Sequence, residues 1–281
     1  MTYTFSILKS PGSKCWFIDH AERFIREQKV RTVVEPFAGS AVVGLTLLNR
    51  GYAKRLVLAE RDPELRQFWS TAVSDADFAG RVSAWTHKFL GVAAEDRHQF
   101  AVDSAARMAQ TDPAFSVLLR SRYGFNGILR QGMVSTNPSL REWWPVNLGT
   151  PLKFLYDARN RIELFSDAFE ALRAYDRHDS YGFVDPPYTA GKCSPGHDLY
   201  RMSQVDHEQL IRLMATWTGS WQLTSEFCPE VLRLLRGVRF EPPVQRVVTP
   251  MRTVNGRKKM ELVLSRGSRL GCNKAQRVAR E

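Results

Sequence analysis

A rigid acidic turn follows an apolar strand pattern in the stretch SYGFVDPPYTAG, at Asp185-Pro186-Pro187-Tyr188. Consecutive prolines lack N–H groups and have a fixed φ, so they end the strand and hold the backbone rigid. The Asp185 carboxylate and the Pro186 carbonyl would be two fixed hydrogen-bond acceptors, and Tyr188 would supply a ring for stacking. This combination suits a planar ring that carries an exocyclic amino group. The bland alternative is a stiff loop that contains a turn aspartate.

An amino group on an aromatic base is a poor nucleophile because its lone pair is delocalised into the ring. If Asp185 and the Pro186 carbonyl each accept one N–H, the nitrogen is drawn toward tetrahedral geometry and its lone pair can face an electrophilic methyl group. Such chemistry depends on positioning and electrostatic preorganisation more than on a strong base. The stretch therefore predicts methyl transfer to an amine, with the four residues from Asp185 to Tyr188 as the catalytic group.

A glycine turn between a strand pattern and a helix pattern predicts a cofactor site at residues 35–41, EPFAGSA. A dinucleotide fingerprint needs a glycine at position 41 for close approach to a pyrophosphate, so Ala41 disfavours NAD. S-adenosylmethionine, which contains adenosine without phosphate, would tolerate this turn. Glu60 ends the next strand pattern at about the spacing of an acid that reaches ribose hydroxyls. The alternative is that Gly39 only turns the chain and Glu60 is a solvated charge.

These residues need a parallel sheet to bring them together, and strand patterns alternate with helix patterns over much of the chain. Residues 16–28 predict an amphipathic helix, and Ser203-x-x-Asp206 has the capping-box pattern that opens another helix. Asn255-Gly256 predicts the turn of a hairpin between the last two strands. We expect an α/β fold with a doubly wound, Rossmann-like sheet.

The α/β pattern is interrupted once. It occupies residues 1–63 and 151–268, whereas residues 64–150 change to helix patterns and then to an irregular stretch rich in Gly, Asn, Arg and aromatic residues. We expect residues 64–150 to be a mostly helical insert and residues 269–281 to be a loose basic tail.

The composition favours a globular protein with a polyanionic partner. The chain has 281 residues, 43% of them hydrophobic, and a formal net charge of +11, which favours phosphate contacts. The four cysteines form no C-x-x-C pair, and the histidines form no H-E-x-x-H or i, i+4 pair, so neither a disulfide framework nor a metal site is predicted. No signal pattern or membrane-length apolar run is present, so we expect a cytoplasmic protein.

Seven short motifs together resemble the D12 class of DNA adenine-N6 methyltransferases, which includes the DNA adenine methylase family. In chain order they are LKSPGSK, VEPFAGSAVVGL, LAERDPEL, RYGFNGILR, ELFSDAFEAL, FVDPPY and MELVLSR. The resemblance implies an S-adenosylmethionine-dependent, site-specific DNA methyltransferase fold with a DNA-recognition insert. It further implies a cofactor site lined by Lys14, Phe37, Gly39, Ser40, Glu60, Asp167 and Asp185, and an adenine site formed by Asp185 to Tyr188.

An adenine inside duplex DNA hides its amino group in the base stack, so a methyltransferase must flip it out. That requires phosphate contacts and a side chain to fill the gap. Charged, aromatic and amide residues alternate in the insert at Arg120, Arg122, Tyr123, Phe125, Asn126 and Arg130, and we expect these to contact DNA. The hairpin, with Arg252 and Lys258, would supply a second contact. The alternative is that these residues belong to the core or to a solvated face.

Three other functions remain open at this stage. A methyltransferase that acts on cytosine N4 or on RNA would use the same chemistry. A DNA-binding protein that binds the cofactor without turnover is suggested by two departures from the family pattern, namely Ser10 in place of an aromatic residue and QGMVSTNP after FNGILR. An unrelated α/β enzyme acting on a small molecule is the third. A cytosine-C5 methyltransferase is disfavoured because the chain has no Pro-Cys dipeptide.

Overall fold

The central feature of the fold is one mixed β-sheet. A computed structural model describes residues 5–9, 12–124, 144–187, 204–252 and 258–267 of the chain. Within these ranges the strands are β1 (Thr32–Glu35), β2 (Arg55–Ala59), β3 (Ile162–Phe165), β4 (Ser180–Val184), β5 (Ser220–Glu226), β6 (Gln245–Arg252) and β7 (Lys258–Arg266). Their order in the sheet is β3-β2-β1-β4-β5-β7-β6. The first five strands are parallel, and β7 pairs antiparallel with both β5 and β6.

Helices cover both faces of this sheet. In the described part of the chain they are α1 (Ile18–Arg26), α2 (Val42–Asn49), α3 (Pro63–Ser74), α4 (Phe78–Leu90), α5 (Arg97–Thr111), α6 (Pro113–Tyr123), α7 (Gly149–Asp157), α8 (Ala168–Ala174), α9 (His207–Thr216) and α10 (Pro229–Arg236). Successive strand residues face opposite layers: Val33 of β1 packs with α1 and α2, and Val34 packs with α8 and α9. Burial on both faces explains why the central strands are apolar runs. The predicted doubly wound α/β fold is confirmed.

The helices α3 to α6 lie between β2 and β3 in the chain and share one core with the sheet. Phe78, Trp85 and Leu118 belong to the same hydrophobic cluster as Val33 and Leu45. The cluster includes an aromatic group in which Tyr123 stacks on Trp144 at a centroid distance of 6.1 Å. This helical region is therefore anchored to the sheet by apolar burial, which favours a fixed position.

The start of α9 differs from the sequence expectation. Asp206 is the N-cap, and its side chain accepts the N–H of Gln209. The prediction that a Ser203 capping box opens this helix is wrong. Ser203 as the N-cap would start the helix at residue 204, whereas α9 begins at His207. Aspartate is as good an N-cap as serine, so the pattern contained two candidates and only tertiary packing distinguishes them.

The other local predictions agree with the structure. Residues 15–26 form a short 3₁₀ turn followed by α1, and β6 and β7 form the expected hairpin, although its Asn255-Gly256 turn lies outside the described residues. Among the described residues, no helix is long and apolar enough to cross a membrane.

Candidate active site

The polar residues that follow the parallel strands lie along one edge of the sheet. In the order of the strands across the sheet they are Asp167 after β3, Glu60 after β2, Glu35 and Gly39 at the end of β1, Asp185 after β4, and Thr224 near the end of β5. The order reverses between β1 and β4, which is where α/β sheets bind ligands. The register places Thr32, Val33 and Val34 of β1 beside Ser180, Tyr181 and Gly182 of β4. The glycine turn and the Asp185 turn therefore begin on adjacent strands.

The Asp185 carboxylate is held by two side chains from distant parts of the sequence. Lys14 Nζ lies 2.9 Å from Oδ2, and the Thr224 hydroxyl donates to Oδ1 at 2.6 Å. The Asp185 side chain keeps 22% of its exposure, whereas Lys14 is buried and Thr224 is fully buried. The carboxylate is thus fixed from within the protein and still accessible from outside.

Lys14 is surrounded by acids. Its Nζ lies 3.3 Å from Glu261 Oε1, as well as contacting Asp185 and the carbonyl of Gly12. Glu261 of β7 is buried and pairs across the strands with the buried Glu226 of β5. Two carboxylates, those of Asp185 and Glu261, therefore hold the Lys14 ammonium group in place.

Glu35 is a further acid at this edge. Its side chain is 3% exposed, and Oε2 accepts the Gly44 N–H at 2.8 Å. Burial raises the pKa of Glu35 to about 8, with a smaller contribution in the same direction from Asp185. Glu35 therefore holds its proton at neutral pH, and Asp185 is the carboxyl group that contacts Lys14.

The two prolines after Asp185 lie against the second layer of helices. Pro186 is buried and lines a small apolar cavity with Leu210, Ile211 and Leu223. The ring of His207 contacts the backbone of Pro187, and burial lowers the pKa of His207. These contacts fix the turn that carries the carboxylate. Tyr188, predicted as its stacking residue, lies outside the described residues.

The glycine turn has a left-handed backbone at two positions. Gly39 and Ala41 both have a φ of 48°, and Ala41 is the one non-glycine residue with a positive φ in the described ranges. A side chain at Gly39 would meet no atom within 4 Å, so the turn faces open space there. Ser40 is buried, and Phe37 is partly buried beside the apolar layer of α8 and α9. The turn is therefore shaped by its backbone and open on the side where Gly39 faces out.

Glu60 lies directly against this turn. Its Oε2 accepts the Gly39 N–H at 2.9 Å, and its Oε1 accepts the Asp62 N–H at 2.9 Å. Burial raises the pKa of Glu60 to about 7, although these backbone hydrogen bonds act in the opposite direction. The Gly39 carbonyl accepts the Trp69 indole N–H at 3.2 Å, which fixes the other side of the turn. The structure thus brings together two residues that the sequence assigned to one cofactor.

Asp167 lies at the end of β3, beside β2. Its side chain is the N-cap of α8 and accepts the Glu170 N–H at 2.9 Å. The preceding strands are joined here by a hydrogen bond from the Glu60 N–H to the Phe165 carbonyl. Asp167 is exposed and lies next to Glu60 in the line of polar residues along the sheet edge.

The residues assigned to DNA contact have several different positions. Arg120 forms an ion pair with Glu64, at 3.1 Å between Nη2 and Oε1. Arg122 is buried, and its guanidinium donates to the carbonyls of Ser6 and Ile7, while Tyr123 is 4% exposed. In this arrangement Arg122 and Tyr123 do not reach the surface, because the N-terminal segment and Trp144 cover them. The burial of the Arg122 guanidinium lowers its pKa to about 10.

The remaining assigned residues are placed only in part. Phe125, Asn126 and Arg130 lie outside the described residues. The backbones of Arg252 and Lys258 pair with each other at the end of the β6–β7 hairpin.

Three residues of the site were missed by sequence reasoning, namely Glu35, Thr224 and Glu261. Glu35 stands directly before the proline of the glycine turn, and Thr224 begins the polar Thr-Ser-Glu end of β5. Either position could have suggested a site residue. Glu261 lies in the MELVLSR motif, but its place beside Lys14 depends on the antiparallel pairing of β7 with β5, which the motif does not contain.

Comparisons with known proteins identify the family of the chain. Solved structures similar to this chain include a Pyrococcus horikoshii protein with a proposed RNA methyltransferase function, at 11% identity, 93% coverage of each chain and a TM-score of 0.40. They also include an rRNA methylase from Streptococcus thermophilus, at 12% identity, 89% coverage of this chain, 96% of the other and a TM-score of 0.37. No curated protein matches the chain. The family model described as D12 class N6 adenine-specific DNA methyltransferase matches residues 10–234. The chain therefore belongs to the D12 class of N6 adenine-specific DNA methyltransferases, which are S-adenosylmethionine-dependent enzymes.

Proposed function

We propose that this protein transfers the methyl group of S-adenosylmethionine to N6 of an adenine that is flipped out of duplex DNA at a specific site. The proposal rests on one observation, namely that the two turns with candidate site residues follow adjacent parallel strands. The open glycine turn follows β1, and the doubly anchored Asp185 carboxylate follows β4, across the position where the strand order reverses.

The residues along the sheet edge fit the parts of the cofactor. Glu60 would accept hydrogen bonds from the ribose hydroxyls, since its carboxylate already lies at the open Gly39 turn. Asp167 lies beyond Glu60 in the sheet order and would face the adenine ring of the cofactor. Lys14 and Phe37 would line the rest of the cofactor site. When bound, the cofactor supplies an electrophilic methyl group on a positively charged sulfur.

Asp185 would act on the target amine. Its carboxylate accepts one N–H, and the carbonyl of Pro186 accepts the other, so that the nitrogen lone pair points at the methyl group. As the nitrogen gains the methyl group it must lose one proton, and the Asp185 carboxylate is the base in contact with it. Lys14 and Thr224 keep that carboxylate oriented throughout. These residues hold charge and geometry before the reaction starts, which is the efficient form of electrostatic catalysis.

The positive charge of the chain favours duplex DNA as the substrate. The net charge of +11 provides a general attraction to phosphate. Residues of the insert around Arg120 to Arg130 and of the hairpin end at Arg252 and Lys258 are the proposed DNA contacts. In this proposal the buried Arg122 and Tyr123 contact DNA only if they become exposed when it binds.

The decisive experiment identifies the methylated nucleoside. The protein is incubated with S-adenosylmethionine labelled in the methyl group and with unmethylated genomic DNA, and the DNA is digested to nucleosides and separated. We expect the label in N6-methyl-2′-deoxyadenosine. The methylated adenines should map to a limited set of sequence positions in the DNA. A parallel incubation with total RNA tests the RNA alternative. Label on cytosine or on RNA alone, or label on neither nucleic acid, would refute the proposal.

A further inference from the structure

Thr224 is the residue of the site that neither the motifs nor the family pattern pointed to. It lies in β5, where Leu223 faces the helices α9 and α10 and Thr224 faces the opposite layer. Its exposure is 0%, and its hydroxyl lies 2.6 Å from Asp185 Oδ1. That distance is typical of a hydroxyl that donates to an ionised carboxylate.

The hydrogen bond from Thr224 matters because it holds the Asp185 carboxylate from a different direction than Lys14 does. Lys14 reaches Oδ2 from the N-terminal segment, whereas Thr224 reaches Oδ1 from the neighbouring strand β5. A carboxylate has about four lone-pair positions. With one on each oxygen already occupied, the remaining positions have a fixed direction relative to the sheet edge. Lys14 alone would leave the carboxylate free to rotate about its bond to Cβ.

Thr224 itself is well suited to this task. A β-branched side chain has few χ1 rotamers, so a buried threonine presents its hydroxyl in one direction. The strand pairing of β5 with β4 and β7 fixes its backbone as well, through the register of Val184 with Leu223 and of Thr224 with Val263. The donor is therefore as rigid as the turn that carries Asp185.

We infer that Thr224 is a positioning residue that orients the Asp185 carboxylate toward the target amine, an inference that rests on the proposed function. Its hydroxyl does not touch the substrate and acts only through Asp185. The alternative is that Thr224 merely fills space in the core. The two roles differ in which atom of the side chain matters, the hydroxyl or the methyl group.

Three variants at this position separate the effect of the hydroxyl from the effect of side-chain volume. Thr224→Ser keeps the hydroxyl and loses the methyl group, Thr224→Val keeps the volume and loses the hydroxyl, and Thr224→Ala loses both. The single-turnover rate of methyl transfer is measured with saturating cofactor and the mapped duplex. Cofactor affinity is measured by calorimetry, and the fraction folded by circular dichroism. Only folded protein enters the comparison.

We expect the transfer rate to follow the hydroxyl. Thr224→Ser should remain within about threefold of the unmodified protein, whereas Thr224→Val and Thr224→Ala should both fall about 10- to 100-fold, the value of a hydrogen bond to a charged group. Cofactor affinity should change less than about threefold in all three. Should Thr224→Val fail to fold, Thr224→Ser and Thr224→Ala, both smaller than threonine, still compare hydroxyl with no hydroxyl.

The failures of the two proposals are distinguishable. If the unmodified protein methylates no adenine, the proposed function fails and no statement about Thr224 remains. If the unmodified protein methylates adenine and the rates follow side-chain volume, with Thr224→Val fast and Thr224→Ser slow, Thr224 is a packing residue and the inference is wrong. Equal rates in all variants would overturn it as well.

Discussion

Carboxyl groups at the sheet edge differ in what surrounds them, and this difference assigns their roles. Asp185 has an ammonium and a hydroxyl as partners, and both donate to it. Glu35 is buried and Glu60 is partly buried, and the partners identified for both are backbone N–H groups. Desolvation raises the pKa of Glu35 to about 8 and that of Glu60 to about 7. Asp185, which side chains hold, is therefore distinct from two acids that change protonation near neutral pH.

If Glu60 accepts hydrogen bonds from the ribose hydroxyls, as proposed, its raised pKa should make cofactor binding depend on pH. An ionised carboxylate is a stronger acceptor than a neutral carboxyl group, so protonation of Glu60 below its pKa of about 7 should weaken binding. We expect the dissociation constant of S-adenosylmethionine to rise as pH falls from 7.5 to 5.5, by at most about tenfold for each pH unit. Calorimetry over this range measures it.

The matched control for this prediction is Glu60→Gln. It keeps an acceptor oxygen near the Gly39 turn and cannot titrate, so its affinity should be lower and should lack the Glu60 contribution to the pH dependence. Identical pH profiles for the two proteins would show that Glu60 does not contact the cofactor.

Asp185 and Glu60 could be predicted from the sequence because each stands beside a local signal, a proline pair or the end of a strand pattern. The contacts that hold Asp185 could not be predicted, although Lys14 was assigned to the site by the family resemblance. Lys14 is 171 residues from Asp185 in the chain, and Thr224 is 39 residues away. Contacts of this separation depend on strand order, which local patterns do not contain.

At the scale of elements, the site depends on how closely α2 approaches β1. The Glu35 carboxylate accepts the N–H of Gly44 in the first turns of α2, and Leu56 of β2 lies below the same residue. A side chain at Gly44 would lie 2.5 Å from Glu35 Oε2 and 2.6 Å from Leu56 Cδ1. Any larger residue at this helix position would force the ends of the Glu35 and Leu56 side chains to move, which favours glycine in spite of its low helix propensity.

The prediction at this scale concerns a pair of glycine substitutions. Gly44→Ala should lower the free energy of unfolding by about 1 to 3 kcal/mol, because the added methyl group displaces Glu35 and Leu56. Gly80→Ala, in the exposed first turn of α4, meets no atom within 4 Å and should raise it by about 0.5 to 1 kcal/mol. Urea denaturation measures both values. Effects of the same sign would contradict the proposed packing of α2 on β1.

The strands and most helices were predictable because periodicity and turn residues determine them locally. The start of α9 was not, since Ser203 and Asp206 are both good N-caps and packing selects between them. The positions of Arg122 and Tyr123 were unpredictable for the same reason. Interleaved charges and aromatic rings are typical of a DNA contact, and only the fold shows the N-terminal segment and Trp144 covering these two residues.

At the scale of the whole molecule, the excess positive charge should act through identifiable contacts. The hairpin end is one proposed contact, and replacing Arg252 or Lys258 by alanine should weaken DNA binding uniformly across sequences. Each loss of a phosphate contact should lower the slope of log K against log salt by about 0.9. Lys153→Ala is the control. Lys153 is an exposed residue of α7 that pairs with Asp157, and its replacement by alanine removes the same single positive charge. An equal change in slope for Lys153→Ala would show that only net charge matters.

The central claim is that the Asp185 carboxylate receives the target amine, and its most direct test is methyl transfer by Asp185→Ala. With labelled S-adenosylmethionine and the duplex that the unmodified protein methylates, we expect transfer to adenine to fall at least about 100-fold. Cofactor affinity and the folded fraction should stay close to those of the unmodified protein. Transfer at the unmodified rate by folded Asp185→Ala protein would contradict the account.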